Sequence, residues 1–290
     1  MSWSSVAHAE KRVALVIGNG AYQKASKLLN PGNDAKAIAE MLRAARFDEV
    51  VVHENLGIRE LRQAINDFSD LVRDADTAIV YFSGHGIEVN GVNYLIPIDA
   101  ILDRDIDTPY EAYSLDNLLQ VLELARRLRL VMLDACRDNP FARSMKRTIS
   151  SRAIGRGLAP VEPTGINTLI GFAAKAGSIA MDGEGANSPY AAAVLNHIAT
   201  PGLDLRIGFG RVRDEVLKVT RNKQEPFVYG SLGGNEIALV PAKKGGPRPQ
   251  PAPTGGSRDV VRAAGRAGLL GFSQGQHQSD RIAHIYTAVP

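Results

Sequence analysis

One cysteine, one tryptophan and an aromatic share of only 6% set this 290-residue chain apart by what it does without. The lone Cys136 excludes an intrachain disulfide framework, so if that thiol matters it matters chemically. No apolar run reaches the ~18 residues that a membrane-spanning helix needs. One cysteine and six scattered histidines give no zinc-type ligand spacing, and no metal site is expected. What remains is an ordinary globular composition, 44% hydrophobic and 22% charged, long enough to bury a sizeable core in one or two domains.

The net charge is +3 and the isoelectric point is near 9.0, but the charge is unevenly spread. Residues 141–160 carry Arg143, Lys146, Arg147, Arg152 and Arg156 with no acid, and residues 241–290 carry seven basic and two acidic residues. The rest of the chain is therefore net acidic, which suits a cationic substrate. The basic stretches have no interleaved aromatic residues, so a nucleic-acid partner is not expected. Residues 1–10 read as an extension. Within it Ala7-His8-Ala9 looks like a signal-peptidase site without the apolar segment that should precede it. As it stands the chain reads as cytoplasmic, or as periplasmic or secreted if an upstream signal has been lost.

Apolar runs bounded by turn signals alternate with helical periodicity. Strands are expected at 12–18, 49–54, 77–83, 128–135 and 167–174, with "EIALVP" (236–241) as a shorter sixth. Between them, residues 32–45, 58–72, 114–128, 188–199 and 208–220 space their apolar residues three and four apart, with Ser114 and Ser188 as N-caps. That alternation implies a mostly parallel, six-stranded sheet between helix layers, an α/β/α sandwich. Residues 142–165 lack periodicity and read as a long exposed linker. The Pro/Gly tract from 242 cannot pack a core, so residues 242–290 are expected to form a disordered tail.

In a parallel sheet the carboxyl ends of the strands share an edge, and sites form there. His85, between Gly84 and Gly86, follows the third expected strand, and Cys136 follows the fourth. Neighbouring strands would bring them together, and an imidazole within reach of a thiol raises its thiolate fraction and acts as its base. The flanking glycines would leave room for a substrate carbonyl. The N–H groups of Gly86 and Cys136 would form an oxyanion hole. His8, His53, His197, His277 and His284 lack such context and read as structural or surface residues. The stretch "VALVIGNGAYQ" offers Gly18-Asn19-Gly20 after the first strand, but Gln23 stands where a dinucleotide loop needs its third glycine, so no nucleotide site is expected.

Taken together, "YFSGHGIEVNGVNYLIPIDA" and "LVMLDACRDNPF" resemble the caspase superfamily, in particular its bacterial metacaspase and paracaspase-like members. His85 precedes Cys136 by about the 50 residues that caspases show. "RVALVIGNGAYQ", "SPYAAAVLNHI" and "EPFVYGSLGG" extend the resemblance over residues 11 to about 241. It implies a peptidase domain with a large-subunit part (11–141), the linker (142–165) and a small-subunit part (166–241). It also implies a cysteine endopeptidase with a His85–Cys136 dyad. True caspases carry Gln-Ala-Cys, whereas this chain has Asp134-Ala135-Cys136. By the same resemblance Asp34 matches an acidic pocket position, and Asp182 falls near a pocket position of caspases. These three acids imply cleavage after Arg or Lys. The five basic residues of the linker then become candidate self-cleavage sites. The alternative is a protease-shaped scaffold that binds peptides or proteins without cutting. No cofactor is required for the chemistry, and calcium activation is compatible with the sequence but not indicated by it. Partners would be proteins or peptides with basic residues, with monomer and dimer both left open.

Overall fold

The computed structural model describes residues 10–136, 140–141, 145–146, 158–159, 161, 165–175 and 180–242, with Cys136 described by its backbone. These residues belong to one unit of the chain, Met1–Gly246, while the second, Pro247–Pro290, lies outside them. Arg143, Arg147, Arg152, Arg156, the expected N-terminal extension up to residue 9 and the tail from 243 also lie outside the described residues.

The elements follow in the order β1 (Arg12–Gly18), α1 (Pro31–Ala44), β2 (Glu49–Glu54), α2 (Ile58–Val72), β3 (Thr77–Val89), β4 (Val92–Leu95), α3 (Thr108–Glu111), β5 (Tyr113–Ser114), α4 (Leu115–Leu122), β6 (Leu128–Cys136), β7 (Thr168–Phe172), α5 (Pro189–His197), α6 (Leu205–Val219) and β8 (Phe227–Ser231). The sheet runs β2-β1-β3-β6-β7-β8. Its first five strands are parallel and β8 is antiparallel to β7. β4 and β5 form an antiparallel appendage on the far end of β3.

Two helix layers sandwich the sheet, because strands buried on both faces offer an apolar side chain to each. Ala14, Val16, Ile79, Tyr81, Leu130 and Met132 pack with α1, α5 and α6 on one face. Val13, Leu15, Ile17, Val80, Phe82, Val131 and Leu133 pack with α2 and α4 on the other. Each Val, Leu, Ile, Phe or Met side chain among them taken fully out of water contributes about 1.5–3 kcal/mol before the entropy of ordering is charged against it. The expected caps are made: Ser114 Oγ accepts the Asn117 N–H and Ser188 Oγ accepts the Ala191 N–H.

Four expectations are corrected. β3 does not end at residue 83 but continues to Val89, because Asn90 (φ 55°) and Gly91 (φ 82°) turn the chain into β4. Two left-handed residues in succession make the two-residue turn whose twist suits a hairpin. α4 stops at Leu122, short of residue 128, where the Arg129 guanidinium donates to the carbonyls of Leu122, Glu123 and Ala125 and turns the chain into β6. The sixth strand is Phe227–Ser231, not 236–241, which keeps one isolated bridge, Asp204↔Ala238. Finally, the linker is not wholly exposed. Met145 and Leu158 are buried, and Asn93 holds Ala159 by both its N–H (2.6 Å) and its C=O (3.0 Å).

Candidate active site

The β3–β6 ladder ends Ser83↔Asp134, Gly84↔Ala135, His85↔Cys136. His85 and Cys136 are therefore direct neighbours across adjacent strands, whose axes lie about 4.8 Å apart in any sheet. His85 lies inside β3, not beyond its end, since the hairpin carries the strand past it.

His85 is 4% exposed. Its Nε2 lies 2.8 Å from the Ser26 carbonyl, which can only accept, so Nε2 carries the proton. Nδ1 is left as a buried acceptor with no hydrogen-bond partner among the described residues. The His85 backbone N–H donates to Tyr22 Oη at 2.7 Å, and the two rings lie 4.4 Å apart, tilted by 51°. Burial lowers the imidazole pKa, against the opposing pull of the Ser26 carbonyl and Asp182. The ring is thus neutral near pH 7, with a free lone pair on Nδ1.

The glycines on either side of His85 do not leave open room. A Cβ at Gly84 would lie 2.6 Å from Tyr22 Oη, and one at Gly86 would lie 3.1 Å from Leu158 Cδ2 and 3.3 Å from Ala135 Cβ. On the side where a Cβ would stand, the room the glycines leave is taken by Tyr22, Leu158 and Ala135.

The three acids come together behind this pair. Asp34 is fully buried on α1 and accepts from Asn187 Nδ2 (2.9 Å), the Ser188 N–H (3.0 Å) and Ser83 Oγ (3.3 Å). Asp134, on β6, accepts from Tyr81 Oη at 3.1 Å and from Ser188 Oγ. Asp182 is only partly buried and accepts from the N–H groups of Leu29 (2.8 Å) and Asn30 (3.4 Å). Desolvation first, with the charge of Asp182 beside it, raises the Asp34 carboxyl to about 6, and desolvation with the charges of Asp34 and Asp182 raises the Asp134 carboxyl to about 7. Among the described residues no Lys or Arg pairs with Asp34 or Asp134.

Sequence reasoning missed Tyr22, Ser26, Tyr81 and Ser83. Tyr81 and Ser83 carry a signal, since they alternate with His85 along one strand and Ser83 is opposite Asp134 in register. Ser26 acts through its main chain, and its side chain announces nothing. Of the linker candidates, Lys146 is exposed, but its backbone is engaged: its N–H donates to the Asp103 carbonyl (2.7 Å) and its carbonyl accepts the Asp105 N–H (3.2 Å). The remaining histidines among the described residues, His53 and His197, stand elsewhere, His197 against Glu215 at 2.6 Å.

Comparison with known proteins bears on the family and the fold. The chain is 32% identical over 133 residues to mucosa-associated lymphoid tissue lymphoma translocation protein 1 of Homo sapiens and 31% identical over 133 residues to its Mus musculus homolog. Each match takes in 44% of this chain and 15% of the relative, so the chain spans only a small part of the curated relatives' length. Caspase-1 from Spodoptera frugiperda shares the fold with a TM-score of 0.58 at 17% identity, over 82% of this chain and 92% of that one. The family model described as the caspase domain matches residues 11–235, from the start of β1 to beyond β8, and the chain therefore belongs to that family of peptidases.

Proposed function

We propose that the chain is a cysteine endopeptidase that cuts after Arg or Lys. The observation that carries the reading is the register pair His85↔Cys136, with a buried Nδ1 on the histidine that has no hydrogen-bond partner among the described residues. Nδ1 takes the thiol proton as Cys136 Sγ attacks the scissile carbonyl. The N–H groups of Gly86 and Cys136 hold the oxyanion of the tetrahedral adduct. His85 then returns the proton to the leaving amine as the C–N bond breaks, and water, deprotonated by the same nitrogen, cleaves the thioester and restores the thiol. The specificity rests on Asp34, Asp134 and Asp182, a carboxylate cluster that a guanidinium or ammonium would complete and an aspartate side chain would meet with like charge.

The test is turnover of fluorogenic peptides that differ only at the residue before the cut. Arg and Lys peptides should be cleaved and Asp peptides should not. Cys136→Ala should be inactive, and His85→Ala should lose ~10²–10⁴-fold or more. Wild-type-like turnover by Cys136→Ala would sink the mechanism, and preference for Asp would sink the pocket. A wild-type protein that binds Arg peptides without cutting them would instead be the protease-shaped scaffold.

A further inference from the structure

Gly18-Asn19-Gly20-Ala21-Tyr22 has the look of a nucleotide loop, yet its contacts are internal to the protein and two of its residues, Asn19 and Tyr22, bond the strand that bears His85. The Asn19 N–H donates to the Ser83 carbonyl at 2.8 Å, and Asn19 Oδ1 accepts the Leu56 N–H at 2.9 Å. The N–H groups of Gly20 and Ala21 converge on Asn55 Oδ1 at 3.0 and 2.8 Å, not on an open anion site. The two glycines allow close packing: a Cβ at Gly18 would lie 2.2 Å from the Pro31 carbonyl oxygen, and one at Gly20 2.7 Å from that of Leu28.

The loop then reaches His85 twice. β1 pairs with β3 only as far as Gly18↔Ser83, so at His85 the neighbouring strand has ended. The His85 carbonyl is taken up by the Ile96 N–H at 3.0 Å, but its own N–H is met by a side chain, Tyr22 Oη at 2.7 Å. That hydroxyl in turn donates to the Ile96 carbonyl at 3.1 Å. Tyr22 is 2% exposed, its ring lies against the imidazole, and four residues later the same loop supplies the Ser26 carbonyl that holds Nε2. Gly84 is where the hydroxyl needs room.

We propose that Tyr22 is a positioning residue for His85: its hydroxyl stands in for the missing strand at the His85 N–H, and its ring is the wall that keeps the imidazole in place with Nδ1 uncommitted. The inference rests on the reading of His85 as the general base. Losing the hydroxyl frees the strand by a fraction of an ångström at the one residue whose placement sets the proton transfer.

The test measures kcat per active site, with sites titrated by an irreversible thiol-directed Arg peptide so that misfolded protein is not counted. Tyr22→Phe should lower kcat ~10–100-fold with KM little changed, the scale that small misplacements of a catalytic group produce. The acid limb of kcat/KM should move to higher pH, because burial is the main cause of the lowered imidazole pKa and a looser ring admits water. Gly84→Ala, whose methyl would press on the hydroxyl, should reproduce the loss. In the double variant the two effects should combine to less than their product, since the atom they share is gone. Unchanged kcat per titrated site in Tyr22→Phe, or effects that multiply fully, would overturn the inference. A fully active His85→Ala would remove the base assignment and the role of Tyr22 with it. An inactive His85→Ala beside a wild-type Tyr22→Phe would remove the role of Tyr22 alone.

Discussion

Burial holds the Asp34 carboxyl near 6 and the Asp134 carboxyl near 7, so the folded protein binds these protons more tightly than the unfolded chain does. The sign follows from linkage. The stabilisation is fully present below the ordinary carboxyl range near pH 4, and it is lost as pH rises through 6 to 7, by an amount on the order of a few kcal/mol. With no cation among the described residues paired to them, the two carboxyls are a destabilising element at neutral pH. Asp134→Asn should therefore melt several degrees above wild type at pH 8 while differing little at pH 4. The amide oxygen can still accept from Tyr81 and Ser188, so the network survives the change. The same variant should lose about 100-fold or more in kcat/KM for Arg peptides, the scale for removing one partner of a buried charge pair. Melting curves at both pH values beside the peptide assay check this, and a variant that tracks wild type at pH 8 would show that Asp134 is not held against ionisation.

At the scale of elements, glycines at two positive-φ positions carry different weight. Gly91 (φ 82°) lies in the β3–β4 turn and a Cβ there meets nothing within 4 Å, so Gly91→Ala costs only its backbone conformation, about 1 kcal/mol or roughly 2–4 °C in Tm. Gly230 (φ 109°) lies in β8, where a Cβ would stand 2.0 Å from the Thr168 carbonyl oxygen of β7. Gly230→Ala should therefore detach β8 or prevent folding. Thermal melts of the two variants side by side test the contrast, and equal shifts would contradict it. These glycines also explain what was hard to read in the sequence. β1, β2 and α2 were legible to the residue, because the continuous burial of β1, the short apolar run of the half-buried β2 and the helical spacing of α2 write themselves into residue choice. β8 was not, since Pro226 and Gly230 interrupt its pattern and its outer face is partly exposed, while the apolar run at 236–241 packs Leu239 into the core without pairing as a strand. The end of α4 depends on Arg129, a residue outside the helix, which no helical periodicity reveals. At the site, the side chains that alternate along β3 and β6 were within reach of inspection, but the Ser26 carbonyl and the Tyr22 hydroxyl arrive from a loop that only the tertiary fold brings there.

Across the whole molecule, a buried acidic cluster and a basic linker belong to one chain, and the linker joins two strands that pair directly with each other. β6 and β7 share the register Arg129↔Thr168 through Leu133↔Phe172, and the linker joins the end of the first to the start of the second. Its far end is anchored, with Leu158 packed over Gly86 and Ala159 held by Asn93. Its near end is anchored too, through Met145 and the backbone bonds of Lys146. A protease needs its substrate extended and free of pairing, so the paired backbone of Lys146 argues against a cut there and leaves Arg143, Arg147, Arg152 and Arg156 as the candidates. Purified protein should then accumulate two fragments of about 150 and about 140 residues that separate on a denaturing gel but elute together from a sizing column, because sheet pairing crosses the cut. Cys136→Ala should stay a single chain under the same conditions. N-terminal sequencing of the smaller fragment identifies the bond. A new terminus directly after Lys146 would show that the pairing with residues 103–105 opens readily. Intact wild-type protein that still cleaves Arg peptides would refute self-processing and leave the dyad untouched, and fragments from the cysteine variant at the same bond would mean that another protease made the cut.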